Sequence, residues 1–260
     1  MEQKAEKELY IPKSIHYSWF GGKEKSKFIK QCIKTWEKYL PDYQIVEWNE
    51  SNFDLKNHRF AREAYEAKKY AFVSDYVRVY VIYHYGGIYF DTDIEVKRNF
   101  TDKLLGAKFV IAFELSDSLM TGFFAAQKEN PVVKEILDYY DGISFYGEDG
   151  SMKLTPNPVI FAKETAKFGL KFNGEYQEIG DGMRIYPNEI FGGYNVYDMI
   201  YTITENTVLV HHYTASWRTV REEVPVKLKK FLLKLFGVEF FRFMRRVKHK
   251  LLGIRKNISK

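Results

Sequence analysis

The sequence has little cysteine, no long apolar run and no signal-peptide pattern, and each absence narrows the class of protein. Cys32 is the single cysteine among 260 residues, which excludes an internal disulfide and a metal site of the cysteine type and favours a reducing compartment. No stretch approaches the roughly eighteen apolar residues of a membrane-spanning helix, and the first ten residues lack the apolar core of a signal peptide. We therefore expect a cytoplasmic protein, or one attached peripherally to the inner face of a membrane.

Composition is that of a soluble globular protein, with 45% hydrophobic and 28% charged residues. The length suffices for one substantial α/β domain, alone or with an appendage, and for a large core. Aromatic residues make up 17% of the chain. Most of these rings are expected in the core, although tyrosine-rich clefts also suit sugar binding because the rings pack on pyranose faces.

The basic charge is concentrated in the last part of the chain. Residues 224–260 contain 12 Lys or Arg and one acid, Glu239, whereas the remainder has 28 basic and 33 acidic residues. Apolar residues recur there at three- and four-residue steps, as in a basic amphipathic helix that binds anionic membranes. We expect a domain at residues 1–223 and a membrane-associating helical tail at 224–260. A helix that covers the core, or a basic segment that binds nucleic acid, are the alternatives, but no nucleic-acid-binding module accompanies it.

The hydrophobic period changes between Tyr70 and Val96. Helical spacing predicts a helix over residues 71–84, and Gly86 and Gly87 end it before a short buried strand at 88–90. Helices are also predicted at 28–39 and from Asn130, with strands at 43–48, 108–113 and 120–126. This alternation predicts an α/β fold with a mainly parallel sheet, in which ligands bind beyond the carboxyl ends of the strands.

Two acids follow the strand at 88–90. In an extended chain Asp91 and Asp93 point to the same side and Thr92 points away, and paired carboxylates suit Mg²⁺ or Mn²⁺. A solvated strand end is the alternative. On the preceding helix Asp75 and Arg78 share a face, either as an ordinary ion pair or, because the helix is apolar, as buried charges that need a ligand.

A pair of histidines follows a short apolar strand near residue 208. His211 and His212 face opposite ways on a strand, so only one can reach a metal ion. The sequence leaves the choice between them open.

Three motifs occur at fixed spacing: S-D-x-x-R at 74–78, G-G-x-Y at 86–89 and D-x-D at 91–93. Together they resemble the signature of glycosyltransferase family 32, which includes capsular-polysaccharide and initiating mannosyltransferase-like enzymes, and the same block of the large glucosylating toxins. The segment I-P-K-S-I-H at 11–16 is similar to the start of that family. The resemblance implies a Rossmann-like GT-A fold, catalytic roles for Asp75, Arg78, Asp91 and Asp93, and a metal site of Asp91, Asp93 and His211 or His212. It assigns donor binding to Tyr17, Trp19, Asp75, Arg78, Tyr89, Thr92, Ser216 and Trp217. Trp19 would stack on the base, unless it belongs to the core.

The function that the resemblance implies is retaining transfer of a hexose to a growing, lipid-linked polysaccharide or glycan. UDP-galactose, UDP-glucose and UDP-GlcNAc remain open as donors, with Mn²⁺ or Mg²⁺ as cofactor. No nucleophile is assigned, and Glu95 and Glu114 are open candidates. The family's T-G-P segment is altered here to include Pro156 and Asn157. A non-catalytic membrane-surface protein is the main alternative; a phosphohydrolase would need a G-S or G-T step after the acid pair, which Ile94 and Glu95 do not provide.

Overall fold

The computed structural model describes residues 8–214, 228–229, 231–244 and 247. The helices up to residue 214 are α1 (Lys27–Tyr39), α2 (Arg59–Glu66), α3 (Tyr70–Tyr85), α4 (Thr101–Leu104), α5 (Pro131–Asp141) and α6 (Asn157–Ala166), with a 3₁₀ turn at Leu55–Asn57. The strands are β1 (Ser14–Ser18), β2 (Gln44–Trp48), β3 (Gly87–Phe90), β4 (Ile94–Val96), β5 (Phe109–Leu115), β6 (Ser118–Ala126), β7 (Gln177–Ile179), β8 (Met183–Tyr186), β9 (Phe191–Gly192), β10 (Tyr194–Asn195), β11 (Ile200–Tyr201) and β12 (Leu209–His211).

The central sheet has seven strands in the order β2-β1-β3-β6-β5-β8-β7. Strands β2, β1, β3, β5 and β8 run in one direction, and β6 and β7 run in the other. The predicted α/β fold with a mainly parallel sheet is therefore confirmed, as a mixed sheet. The carboxyl ends of β1, β3, β5 and β8 consequently lie along one edge.

A smaller sheet brings the late part of the domain to that edge. Strand β12 pairs antiparallel with β4, with His211 opposite Ile94, and parallel with β9. Because β4 begins directly after the D-x-D motif, this pairing places His211 beside the two acids.

Two hydrophobic clusters cover opposite faces of the central sheet. Ile88 and Phe90 of β3 pack with Trp36 of α1 in one cluster, whereas Tyr89 packs with α3 residues in the other. This alternation is the two-residue period of a strand that is covered on both faces. All four residues of β3 are buried.

Helix α3 ends where the glycine pair predicted. Gly86 adopts φ +69°, and a Cβ atom there would lie 2.7 Å from the Lys128 backbone nitrogen and 2.8 Å from Pro12 Cδ. Only glycine combines that left-handed conformation with that close approach. The turn therefore delivers β3 straight from a buried helix to the carboxyl edge.

The chain divides into two compact units, the second of which comprises residues 195–201 and 214–260. Within the second unit Arg242 binds Asp198 through Nη2 at 2.8 Å, and residues 231–244 are helical. Large apolar side chains of residues 228 and 231–244 are exposed: Leu228, Phe231, Leu235, Phe236, Phe240, Phe243 and Met244. Among the described helices, none is both long and apolar enough to cross a membrane. The boundary between residues 223 and 224 stays a prediction.

Candidate active site

The D-x-D motif forms a turn between β3 and β4. The Asp91 N–H donates to the Gly122 carbonyl at 2.8 Å, and the Ile94 N–H donates to the Asp91 carbonyl at 3.0 Å. The extended geometry that the sequence predicted for Asp91 and Asp93 is therefore wrong in detail, because the chain reverses here to enter β4. The turn nevertheless brings both carboxylates to the same side chain of β12.

That side chain is His211. Its Nε2 lies 3.2 Å from Asp93 Oδ1 and 3.9 Å from Asp91 Oδ2, and one ligand atom from each of the three residues lies within 4.8 Å of the others. Burial alone would lower the pKa of His211, but the carboxylates of Asp93 and Asp91 outweigh it and raise the pKa. The two acids, of which Asp93 is buried and Asp91 half-buried, thus attract a cation. Two carboxylates and an imidazole fit Mn²⁺ or Mg²⁺.

Gly122 of β6 leaves the space in which these groups meet. A Cβ atom at this position would lie 2.6 Å from His211 Cε1 and 2.8 Å from Asp91 Oδ2. Any larger residue would displace both candidate ligands. Gly122 was not predicted from the sequence, although a glycine within an apolar strand is a signal of close approach.

His212 lies on the other side of β12. Its Nε2 is 3.0 Å from Glu95 Oε2, and its ring packs edge-on against Phe28. This placement removes His212 from the candidate ligand set, because neighbouring strand residues face opposite ways. Glu95 also binds Lys97 at 2.7 Å, so its carboxylate is engaged by two basic side chains.

The Tyr213 ring packs against the His211 ring. The ring centroids of these two residues are 3.7 Å apart, and the Tyr194 ring stacks with that of Tyr213 at 5.7 Å. Tyr213 adopts φ +49°, which is rare for an aromatic residue and costs energy that the surroundings must supply. This support was not predicted from the sequence.

Arg78 connects helix α3 to the acids. Its Nη2 lies 2.9 Å from Asp75 Oδ1 and 3.3 Å from Asp91 Oδ1, and its Nη1 donates to the Thr121 carbonyl at 2.8 Å. Burial alone would lower the pKa of Arg78, but Asp91 and Asp75 raise it, so the guanidinium remains charged. Its carbon lies 4.8 Å from the centre of the Tyr89 ring. Tyr89 is buried beneath Arg78, and its predicted contact with the donor stays a prediction.

Asp75 has a second partner, Asn157, at the start of α6. The Asn157 Nδ2 donates to Asp75 Oδ1 at 3.0 Å. Burial raises the pKa of Asp75, while Arg78 and Asn157 oppose the rise. The sequence analysis gave Asn157 no role because this segment departs from the family pattern.

The other predicted donor-binding residues differ in how exposed their side chains are. Trp19 directly follows β1, is partly exposed, and donates from Nε1 to the Lys23 carbonyl at 2.6 Å, a position open to a ligand at the carboxyl edge. Tyr17 is buried, and its hydroxyl donates to Glu47; its contact with the donor stays a prediction. Thr92 lies half-buried in the turn. Ser216 and Trp217 lie outside the described residues.

Comparison with known proteins finds a family model that matches this region. Residues 26–110 match the glycosyltransferase sugar-binding region containing a DXD motif. Among curated proteins, inositol phosphoceramide mannosyltransferase 3 of Schizosaccharomyces pombe is 32% identical over 95 residues, covering 34% of this chain and 26% of its own length. The subversion of eukaryotic traffic protein A of Legionella pneumophila is 24% identical over 192 residues, covering 58% of this chain and 29% of its own length.

Similar solved structures are glycosyltransferases as well. The PaToxG glycosyltransferase aligns with a TM-score of 0.46 and 22% identity, over 60% of this chain and 69% of its own. The galactosyltransferase LgtC, in complex with donor and acceptor sugar analogues, aligns with a TM-score of 0.44 and 12% identity, over 88% and 94%. This chain spans only 26% to 47% of the length of the curated relatives it matches.

Proposed function

We propose that the protein is a metal-dependent glycosyltransferase with a GT-A domain, because residues 26–110 match the DXD-containing sugar-binding region of glycosyltransferases. It would transfer a hexose from a nucleoside diphosphate sugar to a glycan acceptor. The observation that carries the proposal is the convergence of Asp91, Asp93 and His211, from two distant parts of the chain, at the carboxyl edge of the sheet.

The three converging residues would hold the divalent cation, and Arg78 stands beside them. A bound Mn²⁺ or Mg²⁺ would neutralise the diphosphate, which gains negative charge as the glycosidic bond breaks. Arg78 keeps its charge next to Asp91 and adds to this stabilisation. The protein fixes Arg78 through the Thr121 carbonyl and two carboxylates, so little reorganisation is required during the reaction.

Asp75 is the proposed contact to the donor sugar. It lies one helical turn from Arg78 and shares that guanidinium with Asp91. A carboxylate in this position accepts hydrogen bonds from sugar hydroxyls, while Arg78 prevents two neighbouring acids from repelling each other. Trp19 completes the donor site as a stacking partner for the base, and transfer proceeds with retention of anomeric configuration.

The donor and acceptor follow from the family rather than from any one contact. We propose a UDP-hexose, with galactose, glucose and N-acetylglucosamine as candidates, and add mannose because two relatives are named as inositol phosphoceramide mannosyltransferases. Those names also favour a lipid-linked acceptor over a free sugar. Capsular polysaccharide assembly is one process in which such a reaction takes place.

The test is sugar release and transfer from a panel of UDP- and GDP-sugars, with Mn²⁺ or with EDTA. We expect the wild type to turn over the donor only when Mn²⁺ is present. Asp93→Ala should show no turnover but should keep the thermal unfolding transition of the wild type. Asp138→Ala is the matched control, because Asp138 pairs with Lys134 on the surface of α5. Undiminished transfer by Asp93→Ala in EDTA would reject the metal role.

The exposed apolar helix is proposed to attach the enzyme to an anionic membrane surface, where a lipid-linked acceptor resides. Seven large apolar side chains of this segment are exposed, and residues 224–260 contain 12 basic residues with one acid. This combination favours the boundary of anionic lipid headgroups. Vesicles of phosphatidylcholine, with and without phosphatidylglycerol, provide the test.

We expect the full chain to sediment with the anionic vesicles, and Leu235→Asp to weaken this binding. Phe172→Asp, a change at an exposed apolar residue of the other unit, should leave it unchanged. Equal sedimentation with both kinds of vesicle, or none, would contradict the proposal.

A further inference from the structure

The Asn157 side chain contacts Asp75 and does not cap helix α6. Asn157 is the first residue of α6, Pro156 occupies the cap position, and no side chain caps the helix. The carboxamide instead crosses to α3, where Nδ2 lies 3.0 Å from Asp75 Oδ1 and 3.4 Å from the Asp75 carbonyl. Asn157 is 3% exposed, so this contact is made in the interior.

The other end of the same carboxamide is unsatisfied. Asn157 Oδ1 is buried without a hydrogen-bond partner among the described residues. A buried acceptor in this condition is destabilising, and such exceptions in folded proteins require an explanation. A side-chain amide kept only for stability would have hydrogen-bond partners for both its Nδ2 and its Oδ1. The contact of Nδ2 with Asp75 therefore indicates what the Asn157 side chain does.

The effect of that position is on the two oxygens of Asp75. Arg78 Nη2, at 2.9 Å, and Asn157 Nδ2 both approach Oδ1, whereas no described residue donates a hydrogen bond to Oδ2. The Asp75 side chain keeps 15% of its surface exposed. The ion pair with Arg78 and the hydrogen bond from Asn157 on one oxygen therefore hold the carboxylate in a single orientation with the second oxygen available to a ligand.

We propose that Asn157 is a positioning residue that determines donor-sugar selectivity: it fixes Asp75 so that Oδ2 accepts a hydrogen bond from a hydroxyl of the transferred sugar. The inference rests on the proposed function, since it requires a nucleotide sugar in this site. A site built around one such hydrogen bond rejects sugars that lack the hydroxyl, or that carry it in the other configuration, far more strongly than it loses affinity for the nucleotide.

The test compares a sugar-bearing ligand with its sugar-free counterpart on the same variant. The full chain and its Asn157→Ser and Asn157→Ala variants are titrated in the presence of Mn²⁺. The sugar-bearing ligands are UDP-glucose, UDP-galactose, UDP-GlcNAc and GDP-mannose, and the sugar-free ligands are UDP and GDP. Serine suits the first turn of a helix, so Asn157→Ser preserves the start of α6 but is too short to reach Asp75. For the sugar that the wild type prefers, we expect kcat/KM to fall about tenfold or more, as one charge-assisted hydrogen bond requires.

The affinity for UDP or GDP should change less than twofold. The ratio of kcat/KM values between epimeric donor sugars should decrease by about the same factor as kcat/KM for the preferred sugar. Asn130→Ala is the matched control. Asn130 is equally buried and caps α5 through Val132 and Val133, so its loss lowers stability without altering sugar preference.

An unchanged ratio of donor to diphosphate affinity in Asn157→Ser, with the wild-type sugar preference, would overturn the inference while leaving the proposed function intact. Equal weakening of both ligands would overturn it as well, since Asn157 would then act only on the fold. Absence of metal-dependent nucleotide binding in the wild type would instead reject the proposed function.

Discussion

Replacement of Gly122 by alanine is the sharpest test of how the site is built. No unusual backbone conformation is needed there, so alanine is acceptable to β6 itself. Its Cβ atom would lie 2.6 Å from His211 Cε1, 2.8 Å from Asp91 Oδ2 and 3.0 Å from His211 Nδ1. Carbon atoms in contact are about 3.5–4.0 Å apart, so the imidazole must move by roughly 1 Å.

Such a displacement costs far more function than stability. A shift of this size lowers turnover by ~10²-fold, and disturbance of groups around a metal ligand weakens metal affinity by about 10–100-fold. Overpacking lowers the free energy of unfolding by about 1–3 kcal/mol. We expect Gly122→Ala to fold, to bind Mn²⁺ at least tenfold more weakly in a calorimetric titration, and to lose most sugar transfer.

Gly142→Ala is the matched control for that variant. Gly142 has φ −79° at the end of α5, and an added Cβ would meet backbone oxygens at 3.2 and 3.6 Å. Its Mn²⁺ affinity should equal that of the wild type. Wild-type Mn²⁺ affinity in Gly122→Ala would refute the placement of Asp91 and His211 around this glycine.

Three further predictions concern neighbouring residues. Arg78→Lys should reduce kcat/KM by ~10²-fold, because lysine cannot reach the Thr121 carbonyl and two carboxylates together; activity within threefold of wild type would contradict this. His211→Ala should abolish tight Mn²⁺ binding measured by electron paramagnetic resonance, whereas His212→Ala should retain it, and the reverse order would show that the wrong histidine has been chosen. Burial lowers the pKa of His16 to about 4 from an ordinary 6.5, so the unfolded state binds the proton more readily. The free energy of unfolding should keep its full value above pH 6.5 and fall by ~3 kcal/mol as the pH drops towards 4. Urea titrations should show a shallower pH slope for His16→Gln, and identical slopes would exclude His16 as the cause.

Much of the fold was predictable because its signals are local. The change of period between α3 and β3, the glycine pair and the Asn130-Pro131 helix start each depend on a few consecutive residues, and the observed bounds differ from the predicted ones by only a few positions. Strand direction was less accessible, because the antiparallel insertion of β6 depends on pairing partners distant in the chain.

The candidate site was predictable only in part, for the same reason. The motif placed Asp75, Arg78, Asp91 and Asp93 together, but the choice of His211 over His212 depends on the pairing of β12 with β4. Gly122, Asn157 and Tyr213 reach the site through tertiary packing and carry no local signal specific enough to assign them. Tyr17 and Tyr89 were assigned through the resemblance, and both are buried because β1 and β3 are covered on both faces.

Anomalous diffraction from crystals soaked with MnCl₂ and UDP would locate the cation itself. We predict one strong manganese peak within bonding distance of Asp91, Asp93 and His211, and its loss in Asp93→Ala crystals soaked in the same way. A peak at other residues, or none at saturating Mn²⁺ while the wild type still transfers sugar, would contradict it.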